Sequence, residues 1–194
     1  MSPELDAKLC QKYPLIFSQR YLSMKETAMC WGFECGDGWY NIIDALCANI
    51  QHSINEKNRS NKMNSEFNNM YDAVLRGEIG EFNKYYSSIT DQKYKSDLLK
   101  RIYSGETKRR EVFDVVPQIE AVQVKEKFAT LRFYTNYTDD VVNACIAMAE
   151  SMSARTCETC GKPGKRRGTF WVYTACDDHT RDEDKDDNYE DMGG

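Results

Sequence analysis

The sequence predicts an α+β fold in which amphipathic helices pack on a short antiparallel β-hairpin, with a zinc knuckle near the C-terminus. Three observations support this: apolar residues recur at helical spacing in several segments, two segments near residue 128 alternate apolar and polar residues, and two chelating Cys/His pairs follow. Of the 194 residues, 41% are hydrophobic and 29% are charged, which is typical of a globular protein with a core.

The first quarter of the chain contains one strong helical pattern. Residues 40–54 place six apolar side chains on one helical face. These are Ile42, Ile43, Leu46, Cys47, Ile50 and Ile54. A shorter pattern uses Leu5, Leu9 and Cys10 and ends near Pro14, since a proline disfavours helix at the residue before it. We therefore predict two helices before residue 55.

The middle of the chain is richer in Asn, Ser, Lys and Tyr than its flanks. Residues 55–64 are polar and lack periodicity, which predicts a loop. Two weaker helical patterns follow, at residues 67–75 and at residues 94–102, the second with Asp91 as its N-cap. We predict an inserted helical lobe at about residues 55–110, within an α+β core formed by residues 1–156.

Beyond Pro117 the pattern changes to that of a hairpin followed by a helix. Residues 121–125 and 129–134 alternate apolar and polar side chains, which predicts two strands joined by residues 126–128. Thr138 is a suitable N-cap for the amphipathic helix that ends near Arg155.

Directly after this helix comes Cys157-x2-Cys160, and fifteen residues later Cys176-x2-His179. Two chelating pairs at this spacing are typical of a structural zinc site. Four protein ligands complete a tetrahedron and leave no position for water, so the ion is expected to be structural and not catalytic. We predict a zinc knuckle at residues 157–180, in which residues 169–174 form a strand that leads back to the second pair.

A second set of metal-binding residue types has wider spacing. It consists of Cys30, Cys35, Cys47 and His52. Cys47 belongs to the apolar face of its helix, where a buried cysteine behaves as a small hydrophobe. A second metal site and ordinary burial both remain open for this set.

Signals for catalysis are sparse. The chain has two histidines, and if His179 binds zinc only His52 is left for acid–base chemistry. A phosphate-binding glycine loop is missing, and so is the H-x-E that precedes the cysteine pair in zinc deaminases. We therefore expect a protein that is not an enzyme.

Two segments are candidate binding surfaces. A basic run suits contact with a polyanion such as nucleic acid, and its alternative is a solvated loop without a specific role. It contains Arg155, Lys162, Lys165, Arg166 and Arg167. An aromatic and glycine-rich loop suits stacking on a flat ligand, and its alternative is a packed core loop. Its candidate ligand-binding residues are Trp31, Asp37, Trp39 and Tyr40.

The last residues are acidic. Nine carboxylates lie between residues 177 and 194, and we predict a disordered tail at residues 181–194. The sequence has no apolar run of about 20 residues that would cross a membrane. Its beginning lacks the basic and apolar regions of a signal peptide, so a cytoplasmic location is expected.

Three segments together resemble a family of uncharacterised proteins encoded by tailed bacteriophages and prophages. They are residues 29–39 (MCWGFECGDGW), 124–134 (VKEKFATLRFY) and 149–161 (AESMSARTCETCG). The resemblance extends over about residues 10–52 and 118–180, a little over half of the chain. It implies a phage accessory protein with a C-terminal zinc knuckle that is made in the bacterial cytoplasm.

The chain departs from the resemblance at two points. Ala129 lies where a glycine is expected in the hairpin, and the lobe at residues 55–110 is longer than is usual for the family. The family carries no established biochemical activity. Partner contacts through the long lobe would be peculiar to this member.

These observations lead to three hypotheses of different classes. The first is a non-enzymatic zinc-containing accessory protein that binds a host component and counters a host defence, as a protein inhibitor or as a sponge for a nucleotide signal. The second is a zinc-finger protein that binds nucleic acid through its basic run. The third is a metal-dependent nuclease or hydrolase.

Overall fold

A computed structural model describes residues 1–184 as two compact units and confirms the predicted α+β class. Unit 1 contains Met1–Ile54 and the chain from Pro117 onward, and unit 2 contains Asn55–Val116. The helices are α1 (Pro3–Lys12), α2 (Tyr40–Leu75), α3 (Ile79–Tyr85), α4 (Gln92–Tyr103) and α5 (Asp140–Ser153). The strands are β1 (Phe33–Glu34), β2 (Ala121–Lys127), β3 (Thr130–Thr135), β4 (Lys165–Arg167) and β5 (Tyr173–Ala175). Within residues 1–184, none of the helices combines the length and the apolar character that crossing a membrane requires.

Unit 1 contains a three-stranded sheet with the order β1-β2-β3, whose strands contribute buried side chains to the core. β1 is parallel to β2, and β2 forms the predicted antiparallel hairpin with β3, pairing Val124 with Phe133. Phe17 packs edge-on against two rings from the sheet, Phe33 at 4.9 Å and Phe133 at 6.4 Å between centroids. Helix α5 covers β3, so the sheet is backed by an amphipathic helix as expected.

The turn of the β2–β3 hairpin differs from the predicted connection at residues 126–128. β2 continues through Lys127, and the turn consists of Phe128 and Ala129, whose φ angles are +55° and +67°. A two-residue type I′ hairpin turn needs these left-handed conformations at both positions, because they match the twist of the strands. The tight turn therefore forms although residue 129 is alanine and not the expected glycine. The left-handed conformation costs a residue with a β-carbon about 1–2 kcal/mol.

Ala129→Gly is expected to raise the free energy of unfolding by about 1 kcal/mol, because glycine adopts a positive φ without that cost. The matched control is Ala154→Gly at the end of α5, where φ is −62° and glycine should destabilise by about 0.5–1 kcal/mol. Urea denaturation of the two variants measures both changes. An equal loss of stability in both would contradict the assigned turn.

The helix caps confirm one prediction and correct another. Asp91 caps α4, since its carboxylate accepts hydrogen bonds from the backbone N–H groups of Lys93 and Tyr94. The N-cap of α5 is Asp139 and not Thr138, because the Asp139 carboxylate accepts from the N–H of Val142 at 3.0 Å. A carboxylate at this position also stabilises the positive end of the helix dipole.

Unit 2 is built on the second half of α2, so the predicted loop at residues 55–64 was wrong: these residues continue the helix without a break. The unit also contains α4 and α3, the second of which the sequence patterns did not indicate. The buried cluster of this unit contains Phe67, Met70, Val74, Phe82 and Ile102.

Four asparagines of α2 explain why residues 55–68 are so polar. They bind the backbone of the extended segment 110–116 through their side-chain amides, and we call this set the asparagine ladder. Asn58 pairs with Val116, Asn61 with Phe113 and Asp114, Asn64 with Glu111, and Asn68 with Arg110. The spacing of three or four residues places the ladder on one face of the helix. The ladder satisfies backbone groups of a segment that has no strand partner among residues 1–184.

Asn68→Ala is expected to lower the free energy of unfolding by about 2 kcal/mol. The Asn68 amide bonds both the N–H and the carbonyl of Arg110 at 2.8 Å, and both groups would lose their partner. The control is Asn69→Ala, whose side chain is exposed on the same helix and whose stability should be unchanged or about 0.5 kcal/mol higher. Equal denaturation midpoints for the two variants would show that the ladder contributes nothing.

Candidate metal centre

Four predicted ligands converge at the end of unit 1. The ligand atoms of Cys157, Cys160, Cys176 and His179 all lie within 4.8 Å of one another. The Cys176 sulfur lies 3.7 Å from that of Cys160 and 3.2 Å from Nδ1 of His179. A tetrahedral ion bound by sulfur and nitrogen separates its ligand atoms by about 3.5–3.8 Å, so these side chains are close enough to hold a metal ion.

Local backbone structure brings the two chelating pairs together. Cys157 and Cys160 lie in a tight turn, in which the N–H of Gly161 donates to the Cys157 carbonyl at 2.9 Å. The hairpin of β4 and β5 then returns the chain to Cys176. A short 3₁₀ turn at Asp177–His179 places the histidine beside that cysteine.

The surroundings of Cys157 favour the thiolate form of its side chain. Burial alone raises its pKa, but backbone N–H groups of Cys176, Cys160 and Thr159 directed at the sulfur outweigh this and lower the pKa to about 6. Because the thiolate is the form that binds metals, this arrangement favours the ligating state at neutral pH.

The glycine-rich turn at residues 36–38 anchors the turn that contains Cys157 and Cys160 to the core of unit 1. The N–H of Gly38 donates to the Glu158 carbonyl at 2.7 Å, and the N–H of Gly36 donates to the Glu158 carboxylate at 2.9 Å. The indole of Trp39 donates to the carbonyl of Thr156 at 2.8 Å. A β-carbon on either glycine would overlap the backbone of residues 157–161, so these glycines allow close approach of the protein's own chain.

This packing corrects the prediction of one ligand site at Trp31, Asp37, Trp39 and Tyr40. Trp39 is fully buried and cannot stack on a ligand, whereas Trp31 is 62% exposed. The Asp37 carboxylate accepts a hydrogen bond from the N–H of Ser2, and Tyr40 is half-buried at the start of α2. The structure does not bring these four side chains to one surface.

The five residues of the predicted polyanion-binding run differ in their surroundings. Lys162 forms an ion pair with Asp178 at 2.8 Å, and Arg167 pairs with Asp177, so these two charges are compensated. The other three members are exposed. They are Arg155, Lys165 and Arg166.

The wider set of Cys30, Cys35, Cys47 and His52 does not form a second cluster within residues 1–184. Cys47 is fully buried, and burial raises the pKa of the Cys35 thiol to about 12, which keeps it protonated. His52 is exposed. Burial as small apolar side chains accounts for the two buried cysteines.

The tips of the β2–β3 and β4–β5 hairpins carry exposed aromatic side chains that the sequence patterns did not indicate. The predicted strand at 169–174 was wrong in its first part, because β5 begins at Tyr173 and residues 168–172 form a loop. Phe170 in this loop is fully exposed and Trp171 is 74% exposed. With Phe128, which is 70% exposed at the β2–β3 turn, they line a groove of about 400 Å³. We call Phe128, Phe170 and Trp171 the aromatic patch.

The structure describes the first four residues of the segment 181–194 that was predicted to be a disordered tail. Arg181 places its guanidinium 4.3 Å from the centre of the Tyr173 ring, and its N–H donates to the Tyr173 hydroxyl. That hydroxyl donates to the Asp184 carboxylate at 2.7 Å. Residues 181–184 are therefore packed on β5, and the rest of the tail prediction lies outside the described residues.

Comparison of the chain with protein-family models, with curated proteins and with solved structures gave no match. The geometry of the site therefore carries the functional argument.

Proposed function

We propose that this protein is a zinc-stabilised, non-enzymatic binding protein whose recognition surface is the aromatic patch. The observation that carries the proposal is the exposure of Phe128, Phe170 and Trp171 around one groove, on two hairpins that are fixed to each other. The fixing contact is the hydrogen bond from the Thr174 hydroxyl to the Ala129 carbonyl at 2.6 Å.

Zinc is the metal that best suits the ligand set. Three cysteine sulfurs and one imidazole nitrogen favour a borderline-soft ion with tetrahedral geometry, and they disfavour magnesium and calcium, which take oxygen ligands. Four protein ligands fill the coordination sphere, so the ion would stabilise the fold and would not activate a water molecule. This supports a role in binding and not in catalysis.

The conformation of Phe128 supports a functional role for the patch. A bulky residue with a positive φ is rare, and here its aromatic ring is 70% exposed, so burial offsets little of the strain. Contiguous exposed aromatic surface is typical of interaction sites. A solvent-exposed turn with no binding role would be more stable with Asn-Gly at these positions.

The resemblance to phage accessory proteins suggests where and on what the protein acts. We propose that it acts in the bacterial cytoplasm, where it binds a host component and counters a defence system. The patch would provide the contact, and the metal would hold the tip that carries Phe170 and Trp171.

The test compares immobilised wild-type protein with the double variant Phe170→Ser and Trp171→Ser in a lysate of the bacterial host. The wild type should retain a defined host component, and the double variant should retain at least about tenfold less, since aromatic anchors dominate binding. Phe113→Ser is the matched control, because Phe113 is 63% exposed in unit 2. Equal retention by wild type and double variant, or no specific component with either, would reject the proposal.

A further inference from the structure

We infer that the aromatic patch binds single-stranded nucleic acid, an inference that rests on the proposed function because it names the ligand of the same surface. Every nucleobase has a flat face that stacks on aromatic side chains, and such stacking is tolerant of sequence. The three rings of the patch are at least 70% exposed and line one groove, so successive bases of one strand can reach them.

One cation lies against the patch, and a second lies on the same face of the neighbouring hairpin. The ammonium group of Lys127 lies 5.3 Å from the centre of the Phe128 ring. Arg166 pairs with Thr174 across the β4–β5 hairpin, so both side chains project from the face that meets the β2–β3 turn. Both cations are exposed, which leaves them available to phosphate groups beside stacked bases.

The carboxylate that lines the groove belongs to Glu126. It accepts a hydrogen bond from the N–H of Ala129 at 2.6 Å, so it is held within its own turn. The opposite face of the β4–β5 hairpin is different, because Asp177 and Asp178 there compensate Arg167 and Lys162. The charge distribution therefore favours a polyanion on the side of the aromatic patch.

The open shape of the patch favours a strand over a free nucleotide or a duplex. Small-molecule sites enclose most of the ligand surface, whereas these rings project into solvent along a surface groove. A duplex hides the faces of its bases within the stack, so it offers phosphates without surfaces for stacking.

The experiment measures fluorescence anisotropy of a labelled oligothymidylate of roughly 12 nucleotides in about 50 mM salt. We expect saturable binding by the metal-loaded wild type and an affinity at least about tenfold lower for Trp171→Ala. Phe113→Ala, an exposed phenylalanine in unit 2, is the matched control and should bind as the wild type does. Metal content and melting temperature of each variant confirm that it is folded.

Salt dependence tests the role of the cations. In single strands each phosphate contact contributes about 0.7 to the slope of log affinity against log salt, so Lys127→Gln with Arg166→Gln should reduce the slope by about 1.4. A duplex of the same length and free thymidine monophosphate should each bind at least about tenfold more weakly than the strand. Equal or tighter binding of either competitor would overturn the choice of a strand.

Absence of oligonucleotide binding by the wild type, or equal binding by Trp171→Ala, overturns this inference. The lysate experiment separates that result from failure of the proposed function. If a host protein is retained by the wild type and lost from the Phe170→Ser and Trp171→Ser variant, the patch is a protein-binding surface and only the nucleic-acid ligand is wrong. If the patch variants change neither experiment, both proposals fall.

Discussion

On the proposed zinc site, Cys176→Ser is expected to reduce bound metal from about one equivalent to under about 0.1 and to lower the free energy of unfolding by about 5 kcal/mol. The buried cluster around the site contains Cys157, Ala175 and Cys176, with Tyr173 packed against it. Cys157 and Cys176 are themselves candidate metal ligands. Because this apolar cluster is so small, we expect the proposed metal to supply much of the stability of the β4–β5 hairpin. For a chain of this length the melting temperature should fall by about 10–20 °C.

Elemental analysis and thermal denaturation by circular dichroism measure the two effects. Cys30→Ser is the control, since Cys30 is partly exposed and belongs to the set that does not cluster. It should keep the full metal content and nearly the wild-type melting temperature. A Cys176→Ser variant that still binds one equivalent of metal would reject the site, and loss of metal from Cys30→Ser would place the ion elsewhere.

The clustering of the four candidate metal ligands could be predicted from the sequence because their chemistry is local. Two thiols separated by two residues can reach one ion from a single turn, and few other reasons produce Cys157-x2-Cys160 followed by Cys176-x2-His179. The packing of this cysteine-containing turn on the core of unit 1 could not be predicted in the same way. Gly36 and Gly38 lie about 120 residues away in sequence, and their meeting with Glu158 exists only in the folded chain.

The asparagine ladder also depends on tertiary contacts that local sequence does not reveal. Asparagine has a poor helix propensity, so a run that includes Asn58, Asn61 and Asn64 predicts a loop on local grounds. The amides instead bond the backbone of residues 110–116, and this tertiary contribution outweighs the propensity of α2. In contrast, Asp91 was predicted correctly because an N-cap bonds within two or three residues of itself.

Exposure of the hairpin tips was also beyond the sequence pattern. A run containing Phe170, Trp171, Val172 and Tyr173 has the composition of a buried strand. Only the last of these belongs to β5, and the aromatic rings before it lie in solvent at a loop. Composition indicates which residues suit a strand, but pairing partners decide where the strand begins.

Gly38→Ala is expected to destabilise unit 1 by about 3 kcal/mol, because the new methyl group would overlap the carbonyl oxygens of Cys157 and Glu158. These are backbone atoms of the turn that presents two metal ligands, so they cannot move aside without displacing the sulfurs. The zinc affinity, measured by competition with a chromophoric chelator, should fall at least about tenfold, since ligand geometry sets affinity.

Gly80→Ala is the matched control for this substitution. Gly80 lies in α3, where a β-carbon would meet open space, and alanine should raise stability by about 0.5–1 kcal/mol while the zinc affinity stays unchanged. If Gly38→Ala keeps the stability and the zinc affinity of the wild type, the zinc knuckle does not depend on its packing against the turn at residues 36–38. A loss of zinc affinity together with stability would instead show that the core of unit 1 and the metal site form one cooperative structure, since the substituted residue binds no metal itself.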